Sequence, residues 1–312
     1  MHVKSKRKLK LSQPLPREKK SLLIYTLLAL VLGLSCHSCT NIPTDGVKKA
    51  SNATEEFAAE LATAIRKQAS TPVTNGENGS AIQSGDSPSD FSACPQFFAN
   101  GKSPVVAPKA LNRALCYEAF AIMHSGESKT PMFVAEKLNK ESLSGANEPR
   151  TNMFFSDARL RSAERATLED YRGSGFDRGH MAPAGDMPNA LAMAQSFSLA
   201  NMVPQAPEHN RGVWAKSVEA ATRKYAARIT GDVYVITGPV FVPNIAESQR
   251  IGPGQVRVPK YLFKLVYDQD KNRAWAHWHL NDDATQGSRP ISYDELVKRT
   301  GIDFLPGVSL SD

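Results

Sequence analysis

The sequence has few cysteines, no apolar run as long as an ordinary membrane-spanning helix, and no surplus of charge outside one short segment. Its mostly apolar stretch at residues 21–34 is short, since a spanning helix needs about 20 residues. The formal net charge is +7, but residues 1–20 hold eight of the 38 basic residues and one of the 31 acidic ones. The remainder carries 30 of each sign, so any affinity for nucleic acid has to come from a local patch.

A basic tail followed by a short apolar segment is typical of a signal sequence, and we assign residues 1–40 to it. The tail is expected to stay on the cytoplasmic side while the remainder is exported to the periplasm or the extracellular space. Cys36 is a candidate lipid acceptor, although Gly33 stands where a large aliphatic residue is expected. Cleavage, lipidation and retention as a membrane anchor through residues 21–34 all stay open.

Four cysteines form two pairs in the sequence. Cys36 and Cys39 belong to the export segment, where a redox or zinc site is not expected. Cys94 and Cys116 remain as an even pair in an exported chain, which predicts a disulfide. Free buried thiols are the alternative.

The composition divides the rest of the chain in two. Residues 41–92 are rich in Ser, Thr, Gly, Asn and Pro and predict a tether, with one helical pattern at residues 55–68. Residues 93–312 carry the folded domain. Its patterns predict strands at 117–125 and 131–138, a helix at 213–228, a strand at 232–242 ending at a Gly-Pro turn, a hairpin at 260–280 and a helix ending at Gly301. Because strands and helices do not alternate regularly, we expect an α+β fold.

The first chemically suggestive motif lies in a Gly-rich segment that we expect to be a loop, residues 170–186. It reads Ser-Gly-Phe-Asp177-Arg178-Gly179-His180 and combines an acid, a guanidinium and an imidazole. An imidazole accepts a proton near neutral pH, and a guanidinium binds phosphate through two hydrogen bonds. These are the groups that phosphodiester cleavage needs.

The second motif spans residues 201–219. Asn201 and Asn210 flank a Pro-rich turn, Asn210 lies near the start of the predicted helix, and Glu219 follows nine residues later. An amide oxygen suits magnesium, which keeps most of its waters and needs few protein ligands. Taken alone, an asparagine at this place is more often a helix cap.

Together the two motifs resemble the DNA/RNA non-specific endonuclease family. The resemblance covers roughly residues 94–306 and rests on Asp-Arg-Gly-His at 177–180, Asn-x-x-Pro-Gln at 201–205, and then Asn210, Trp214 and Glu219. Thr-Gly-Pro-Val at 237–240 and the segment 300–304 are also similar to the family. The resemblance implies a ββα-metal fold with a central mixed or antiparallel sheet flanked by helices.

The resemblance also implies roles for the matching residues. His180 would be the general base and Asn210 the direct protein ligand of Mg²⁺, with Mn²⁺ as a substitute ion. Arg178 would neutralise developing charge, and Glu219 would hold a water beside the metal. Asn201 would support either His180 or the phosphate. The remaining expected substrate contacts are Asp177 and Arg211.

Two departures from the family pattern need a structural answer. Glu219 lies nine residues after Asn210 instead of eight, a difference of about 100° on an α-helix, so a local bulge or a later helix start is required. The family's phosphate-binding arginine upstream of the first motif has no counterpart at the apparent place, residues 153–157. The candidates to replace it are Arg159, Arg161 and Lys137.

Most other polar and aromatic groups receive structural interpretations. His277 and His279 share one face of a strand and could bind metal, but a packed or exposed strand position is favoured for both. His124 is expected to be structural, and the three tryptophans, Trp214, Trp275 and Trp278, are expected in the core. His209 is a loop neighbour of Asn210 that we consider as a lesser candidate for substrate contact.

The leading hypothesis is a metal-dependent endonuclease that hydrolyses DNA and RNA without strong sequence preference. One alternative is a catalytically silent, membrane-tethered nucleic-acid-binding protein. The other is a phosphodiesterase for small substrates. An inhibitor or immunity partner stays open.

Overall fold

The structure is a computed structural model that describes residues 90–146 and 148–311. The predictions for the export segment, for Cys36 and Cys39, and for the tether with its helix at 55–68 lie outside these residues. Along the described part of the chain, no helix has both the length and the apolar character needed to cross a membrane.

Within the described residues, eleven strands are formed by short segments that are mostly buried. They are β1 (Asn112–Cys116), β2 (Phe120–Ser125), β3 (Thr130–Leu138), β4 (Asp177–His180), β5 (Met202–Gln205), β6 (Val233–Val240), β7 (Arg250–Ile251), β8 (Val256–Arg257), β9 (Tyr261–Asp268), β10 (Arg273–Leu280) and β11 (Ile291–Ser292). Seven of them form one antiparallel sheet in the order β1-β2-β3-β6-β9-β10-β11. The predicted pairs β2-β3 and β9-β10 are confirmed.

The helices are short and connect or flank the strands. They are α1 (Lys140–Ser144), α2 (Leu168–Tyr171), α3 (Ala190–Ser196), α4 (Pro207–His209), a π-helix (Asn210–Glu219), α5 (Ala220–Ala226) and α6 (Tyr293–Thr300). Single 3-10 turns lie at Pro95–Phe97, Ala99–Gly101, Ser162–Glu164, Ala184–Asp186 and Leu199–Asn201. As predicted, the last helix ends at Gly301, whose φ of 69° suits a residue without a side chain.

The prediction that a Gly-Pro turn ends the long strand β6 is wrong. Gly238 and Pro239 lie inside β6 and pair with Phe263 and Leu262 of β9. Proline is tolerated there because the pairing of β6 with its other neighbour, β3, stops at Thr237, so the proline needs no partner on that side.

One face of the sheet, which we call the apolar face, is packed mainly by aromatic and aliphatic side chains. Phe133 and Phe263 of this face contact Phe98, from the segment before β1, and Phe304, from the segment after α6. Each fully buried large side chain contributes about 1.5–3 kcal/mol. The apolar face therefore holds both ends of the described chain against the sheet.

A disulfide reinforces the apolar face. It joins Cys94 and Cys116, as predicted, at a sequence separation of 22. Cys94 is buried among the aromatic residues of this face, and Cys116 ends β1. The disulfide thus attaches the segment before β1 to the edge of the sheet.

The opposite face, which we call the site face, carries the ββα unit that the resemblance implies. Strands β4 and β5 pair antiparallel, with His180 opposite Met202, and the helix from Pro207 follows at once. Met181 and Trp214 of this unit pack on Phe120 and Leu262 of the sheet. The unit is therefore fixed to the sheet through its own apolar residues.

The prediction of a loop across residues 170–186 is wrong at the motif itself, because Asp177–His180 is strand β4. Its glycine is required by close packing. A Cβ on Gly179 would lie 2.1 Å from Oε1 and 2.6 Å from Cβ of Gln205 on β5. The Gly-rich composition thus marks a tight strand pair instead of an open loop.

Candidate active site

The helix after β5 changes its pitch where the site lies. It begins as α4, widens into the π-helix from Asn210 to Glu219 and continues as α5. The widening includes Gly212, whose φ of −96° and ψ of −111° depart from helical values. Two π turns take about nine residues, where two α turns take about seven. The nine-residue spacing therefore brings Asn210 and Glu219 to one side of the helix, which is the local bulge that the sequence required.

Asn210 is held by a carboxylate from the neighbouring strand. Its Nδ2 donates to Asp177 Oδ2 at 2.9 Å, and Arg211 Nε donates to the same oxygen at 2.8 Å. A terminal nitrogen of Arg211 donates to the other oxygen, Oδ1. Because the amide nitrogen of Asn210 is engaged, its carbonyl oxygen is the atom that remains for a ligand.

His180 ends β4 in an aromatic enclosure. Its ring lies 5.0 Å from Phe197 and 5.8 Å from Phe154, and its buried Nε2 has no hydrogen-bond partner among the described residues. Burial lowers the pKa of His180 to about 3, and the charges of Arg150 and Arg178 act in the same direction. The ring is therefore neutral at pH 7, with a nitrogen that can accept a proton.

Asn201 fixes the chain immediately after His180. Its Nδ2 donates to the carbonyl oxygens of Ala182 and Ser196, both at 2.9 Å, and its Oδ1 accepts from Ala182 N at 2.9 Å. The side chain is fully buried, so it supports the histidine segment and does not face a phosphate.

Two arginines flank His180, and one of them was missed from the sequence. Arg178 lies 4.2 Å from the ring centre of Phe154, and Arg150 lies 5.1 Å from that of Phe197. Arg150 precedes the segment in which an upstream arginine was sought and lies on irregular chain, so no periodic pattern marked it. Arg150 thus lies beside Phe197, one of the two aromatic neighbours of His180, and its charge acts on the His180 ring.

The replacements proposed from the sequence lie elsewhere. Arg159 donates to both oxygens of Asp157 and to the carbonyl oxygen of Cys116, and it covers Tyr117. Lys137 is paired with Asp232 at 3.4 Å. Arg161 is an exposed residue of the loop before α2. None of the three takes the place beside Phe197 that Arg150 occupies.

A cluster of charged side chains lies between the π-helix and the site face of the sheet. It contains Glu136, Asp186, Glu219, Arg223 and Lys264. Lys264 Nζ donates to Thr237 Oγ1 at 2.7 Å and to the carbonyl oxygen of Met181 at 3.5 Å, next to His180. Sequence reasoning missed its role, although a lysine inside an otherwise apolar strand was a visible signal.

The carboxyl groups of this cluster resist ionisation. Burial raises the pKa of Glu136, Asp186 and Glu219, in the last case to about 7. Neighbouring carboxylates add to the shift, whereas Lys264 and Arg223 oppose it. Glu219 is half-buried, so it retains some contact with solvent.

Of the other histidines within the described residues, His124, His209 and His279 are buried and His277 is partly buried on β10. His209 is fully buried, with Nδ1 3.1 Å from Gln205 Nε2 and Nε2 3.2 Å from His279 Nδ1, so it does not reach the surface where a substrate binds. His124 is buried against the carbonyl oxygen of Glu164. Trp214 is fully buried, whereas Trp275 and Trp278 are only partly buried on β10.

Across the residues that the structure describes, no group of three or more His, Cys, Asp or Glu side chains is arranged to hold a metal ion. The donor set at Asn210 is of another kind, because it offers a neutral amide oxygen on a helix that also carries the half-buried carboxyl group of Glu219. A cation that keeps most of its waters, as Mg²⁺ does, fits such a set.

The comparisons with known proteins agree with this geometry. The family model of DNA/RNA non-specific endonucleases matches residues 102–311. The chain belongs to this family. Both motifs and all of the β4-β5-helix unit lie within the matched residues.

Known members of this endonuclease family are similar in sequence. The human mitochondrial nuclease EXOG is 34% identical over 217 residues, which cover 64% of this chain and 58% of that protein. Nuclease C1 of Cunninghamella echinulata var. echinulata is 34% identical over 207 residues, 62% of this chain and 81% of that protein. Human mitochondrial endonuclease G is 35% identical over 160 residues, which cover 48% of this chain and 52% of that protein. The match thus spans little more than half of the two human relatives.

A solved structure shows the same fold. It is a crystal structure of the EndoG/EndoGI complex, to which this chain is similar with a TM-score of 0.57 at 25% identity, over 63% of this chain and 86% of that chain. The antiparallel sheet with its β4-β5-helix unit is therefore a ββα-metal nuclease fold, as the sequence motifs predicted.

Proposed function

We propose that this chain is an Mg²⁺-dependent endonuclease that hydrolyses DNA and RNA with little regard for sequence. The observation that carries the proposal is His180. Its buried Nε2 has no partner within the described structure, and the charges of Arg150 and Arg178 both act on the ring. A neutral base with two guanidinium groups nearby matches a phosphodiester and an attacking water.

The metal would be held by Asn210. Its carbonyl oxygen is free because Asp177 engages its nitrogen, and Glu219 stands on the same side of the helix to hold water beside the ion. When bound, Mg²⁺ stabilises negative charge on the phosphate and on the departing oxygen. Mn²⁺ prefers similar oxygen ligands and is the expected substitute.

His180 takes a proton from the attacking water through a ring nitrogen. In the free protein the pKa of His180 is depressed by burial and by the two arginines. A bound phosphate neutralises Arg150 and Arg178, which raises the pKa of His180 again and strengthens it as a base. Substrate binding therefore makes His180 a stronger base at the step in which it accepts the proton.

Arg178 holds the phosphate and neutralises the charge that develops on it. Its stacking on Phe154 at 4.2 Å fixes the guanidinium while leaving its donors available. We assign Arg150, which lies over Phe197, to the same phosphate, in the role of the upstream arginine that the family resemblance implies.

Asp177 acts as a positioning residue in this arrangement. Both of its oxygens accept hydrogen bonds from Asn210 and Arg211, and a carboxylate repels a phosphate. We therefore assign Asp177 the orientation of Asn210, in place of the substrate contact expected from sequence. Arg211 is exposed and neutralises Asp177, and contact with a neighbouring phosphate stays open for it.

Sequence tolerance follows from the kind of contact. The proposed contacts of His180, Arg150 and Arg178 are with phosphate and water, and such contacts carry no base information. The same contacts exist in DNA and RNA. The small-substrate phosphodiesterase and the silent binding protein remain the alternatives.

One assay separates these three hypotheses. Purified protein is incubated with plasmid DNA, RNA and bis-p-nitrophenyl phosphate, each with Mg²⁺ or EDTA. We expect Mg²⁺-dependent cutting of both polymers. Cleavage of the small ester alone would favour the phosphodiesterase, and binding without any cleavage would favour the silent protein. A His180→Ala preparation serves as the control for contaminating nuclease.

Export is a separate part of the proposal. It rests on the basic and apolar pattern of residues 1–40 and on the disulfide, which is typical of oxidising compartments. Mass analysis of the mature N-terminus tests it, and an unprocessed chain found only in the cytoplasm would contradict it. The similar structure concerns inhibition of EndoG by EndoGI, and an inhibitor partner for this chain stays open.

A further inference from the structure

An open cavity of about 390 Å³ lies beside β4, on the side of Arg178 where the chain enters the strand. It is lined by Leu168, Tyr171, Arg172, Phe176, Asp177 and Arg178. Its volume falls within the range of about 300–1,000 Å³ that is usual for sites of small ligands. Because Asp177 and Arg178 belong to both, the cavity continues directly from the proposed catalytic site.

The charges at this cavity favour an anion. Arg172 is paired only loosely with Glu169 at 2.9 Å, since the two side chains are 76% and 56% exposed. Such a surface pair contributes little and yields readily to a phosphate. Asp177, the acidic lining residue, is already neutralised by Arg211. Two guanidinium groups, those of Arg172 and Arg178, therefore define the electrostatics of the cavity.

The apolar residues of the cavity can contact a planar ring such as a nucleotide base. Leu168, the first residue of α2, is 43% exposed and offers an apolar surface at the wall of the cavity. Phe176 is half-buried and packs against the small cluster that contains Tyr171. Gly173 and Gly175, with φ of 64° and 81°, form the turn that brings Phe176 back beside Asp177.

We propose that this cavity binds the nucleotide adjacent to the scissile phosphate. Its base lies against Phe176 and Leu168, and its outer phosphate is bound by Arg172. This inference rests on the proposed function and deepens it. Stacking on an aromatic face suits every base, so a subsite of this kind strengthens binding without selecting a sequence.

Kinetics with paired substrates test the subsite. The quantity measured is the ratio of kcat/KM on a single-stranded oligonucleotide to kcat/KM on bis-p-nitrophenyl phosphate, which has no nucleoside. We expect Arg172→Ala and Phe176→Ala each to lower this ratio about tenfold. The ratio compares two substrates of one preparation, so partial unfolding of a variant cancels. Arg228→Ala, an exposed arginine beyond the end of α5, is the matched control and should leave the ratio unchanged.

Two further measurements test separately the base contact at Phe176 and the phosphate contact at Arg172. Replacing the bases of the oligonucleotide by abasic residues should lower kcat/KM more for the wild-type protein than for Phe176→Ala. The variant already lacks the aromatic ring on which the base is proposed to stack. Arg172→Ala should reduce the log–log salt slope of binding by about 0.7, the contribution of one phosphate contact on a single strand.

Two results would overturn the inference, and they differ. If the wild-type protein cleaves with Mg²⁺ but both variants lose activity equally on the oligonucleotide and on the small ester, the cavity is not a nucleotide subsite and the proposed function stands. If the wild-type protein cleaves neither substrate, the proposed function fails and the subsite fails with it.

Discussion

The two faces of the central sheet differ in chemistry although the same strands form both. On the apolar face, the strand residues that line the core are aromatic or aliphatic, and a disulfide closes its edge. On the site face, Glu136 and Lys264 are buried from the same strands, beneath the helix that carries Asn210 and Glu219. Burial of charge is costly unless the charges are paired. The comparison indicates that packing on the apolar face stabilises the fold. This packing offsets the unfavourable free energy of burying the charged cluster beneath the site.

The largest expected effect on the site face is the loss of the base. His180→Ala should reduce plasmid cleavage about 10²–10⁴-fold, because a general base contributes that much. Near-UV circular dichroism should remain unchanged, and DNA binding should persist through the arginines. Asn210→Ala should also lose activity, but higher Mg²⁺ should restore part of it, whereas His180→Ala should not respond.

His277→Gln is the matched control for this experiment, since His277 lies on β10 outside the β4-β5 unit. It should cleave at nearly the wild-type rate. A folded His180→Ala protein that cuts as fast as wild type would remove His180 from the mechanism and leave the site face without its proposed function.

The same comparison explains what the sequence could predict. Strands β2, β3, β6, β9 and β10 were visible because their core positions follow a regular pattern, whereas the edge strands β1 and β11 were not predicted. The ββα unit was visible through its two motifs. Strand β4 was not, because Gly179 packs against Gln205 and no side-chain alternation marks the strand. Arg150 was hidden because its place depends on the path of irregular chain past Phe197.

The helix of the site shows a similar limit. The sequence established that an α-helix would misplace Glu219 relative to Asn210, but not how the chain would respond. The answer is a π-helix, which depends on the local hydrogen bonding near Gly212 and on the fixed positions of Asp177 and Trp214. Spacing therefore predicted that an irregularity exists, and the tertiary packing decided its form.

On the apolar face, the largest expected effect is on stability alone. Phe133→Ala removes a fully buried ring that contacts Phe91 and Phe98, and it should lower the free energy of unfolding by about 3–5 kcal/mol. Urea unfolding measures this. The protein that remains folded should keep its Mg²⁺-dependent cleavage rate per molecule. A large loss of kcat without a loss of stability would show that the two faces are not separable in this way.

The disulfide should have a smaller effect of the same kind. Cys94→Ser combined with Cys116→Ser should lower the free energy of unfolding by about 3 kcal/mol, the chain-entropy value for a loop of this length. Alkylation of the mature protein without reductant should label neither cysteine. Two freely labelled thiols would contradict the pairing and would place the stability of this edge in packing alone.

The smallest expected effect, and the most specific to the site face, is the pH dependence of Glu219. Its pKa is raised to about 7 from an ordinary value near 4.5, so the folded protein binds this proton more tightly than the unfolded chain does. The resulting stability is present at pH below about 4.5 and is lost as the pH rises through 7. Glu219→Gln lacks the titration. Between pH 5 and pH 8 the variant should therefore gain about 1–2 kcal/mol relative to wild type, less than the full shift allows because the side chain is half-buried.

Urea unfolding at both pH values, with EDTA present, measures this difference. Glu208→Gln is the matched control, because Glu208 is exposed at the start of the same helix and should show no pH-dependent change. The two variants should also separate in cleavage, with Glu219→Gln strongly impaired and Glu208→Gln nearly unaffected. Equal stability differences at pH 5 and pH 8 would show that Glu219 is not held in the charged cluster. Impaired cleavage by Glu208→Gln in place of Glu219→Gln would instead move the water-binding carboxyl group to the other end of the π-helix.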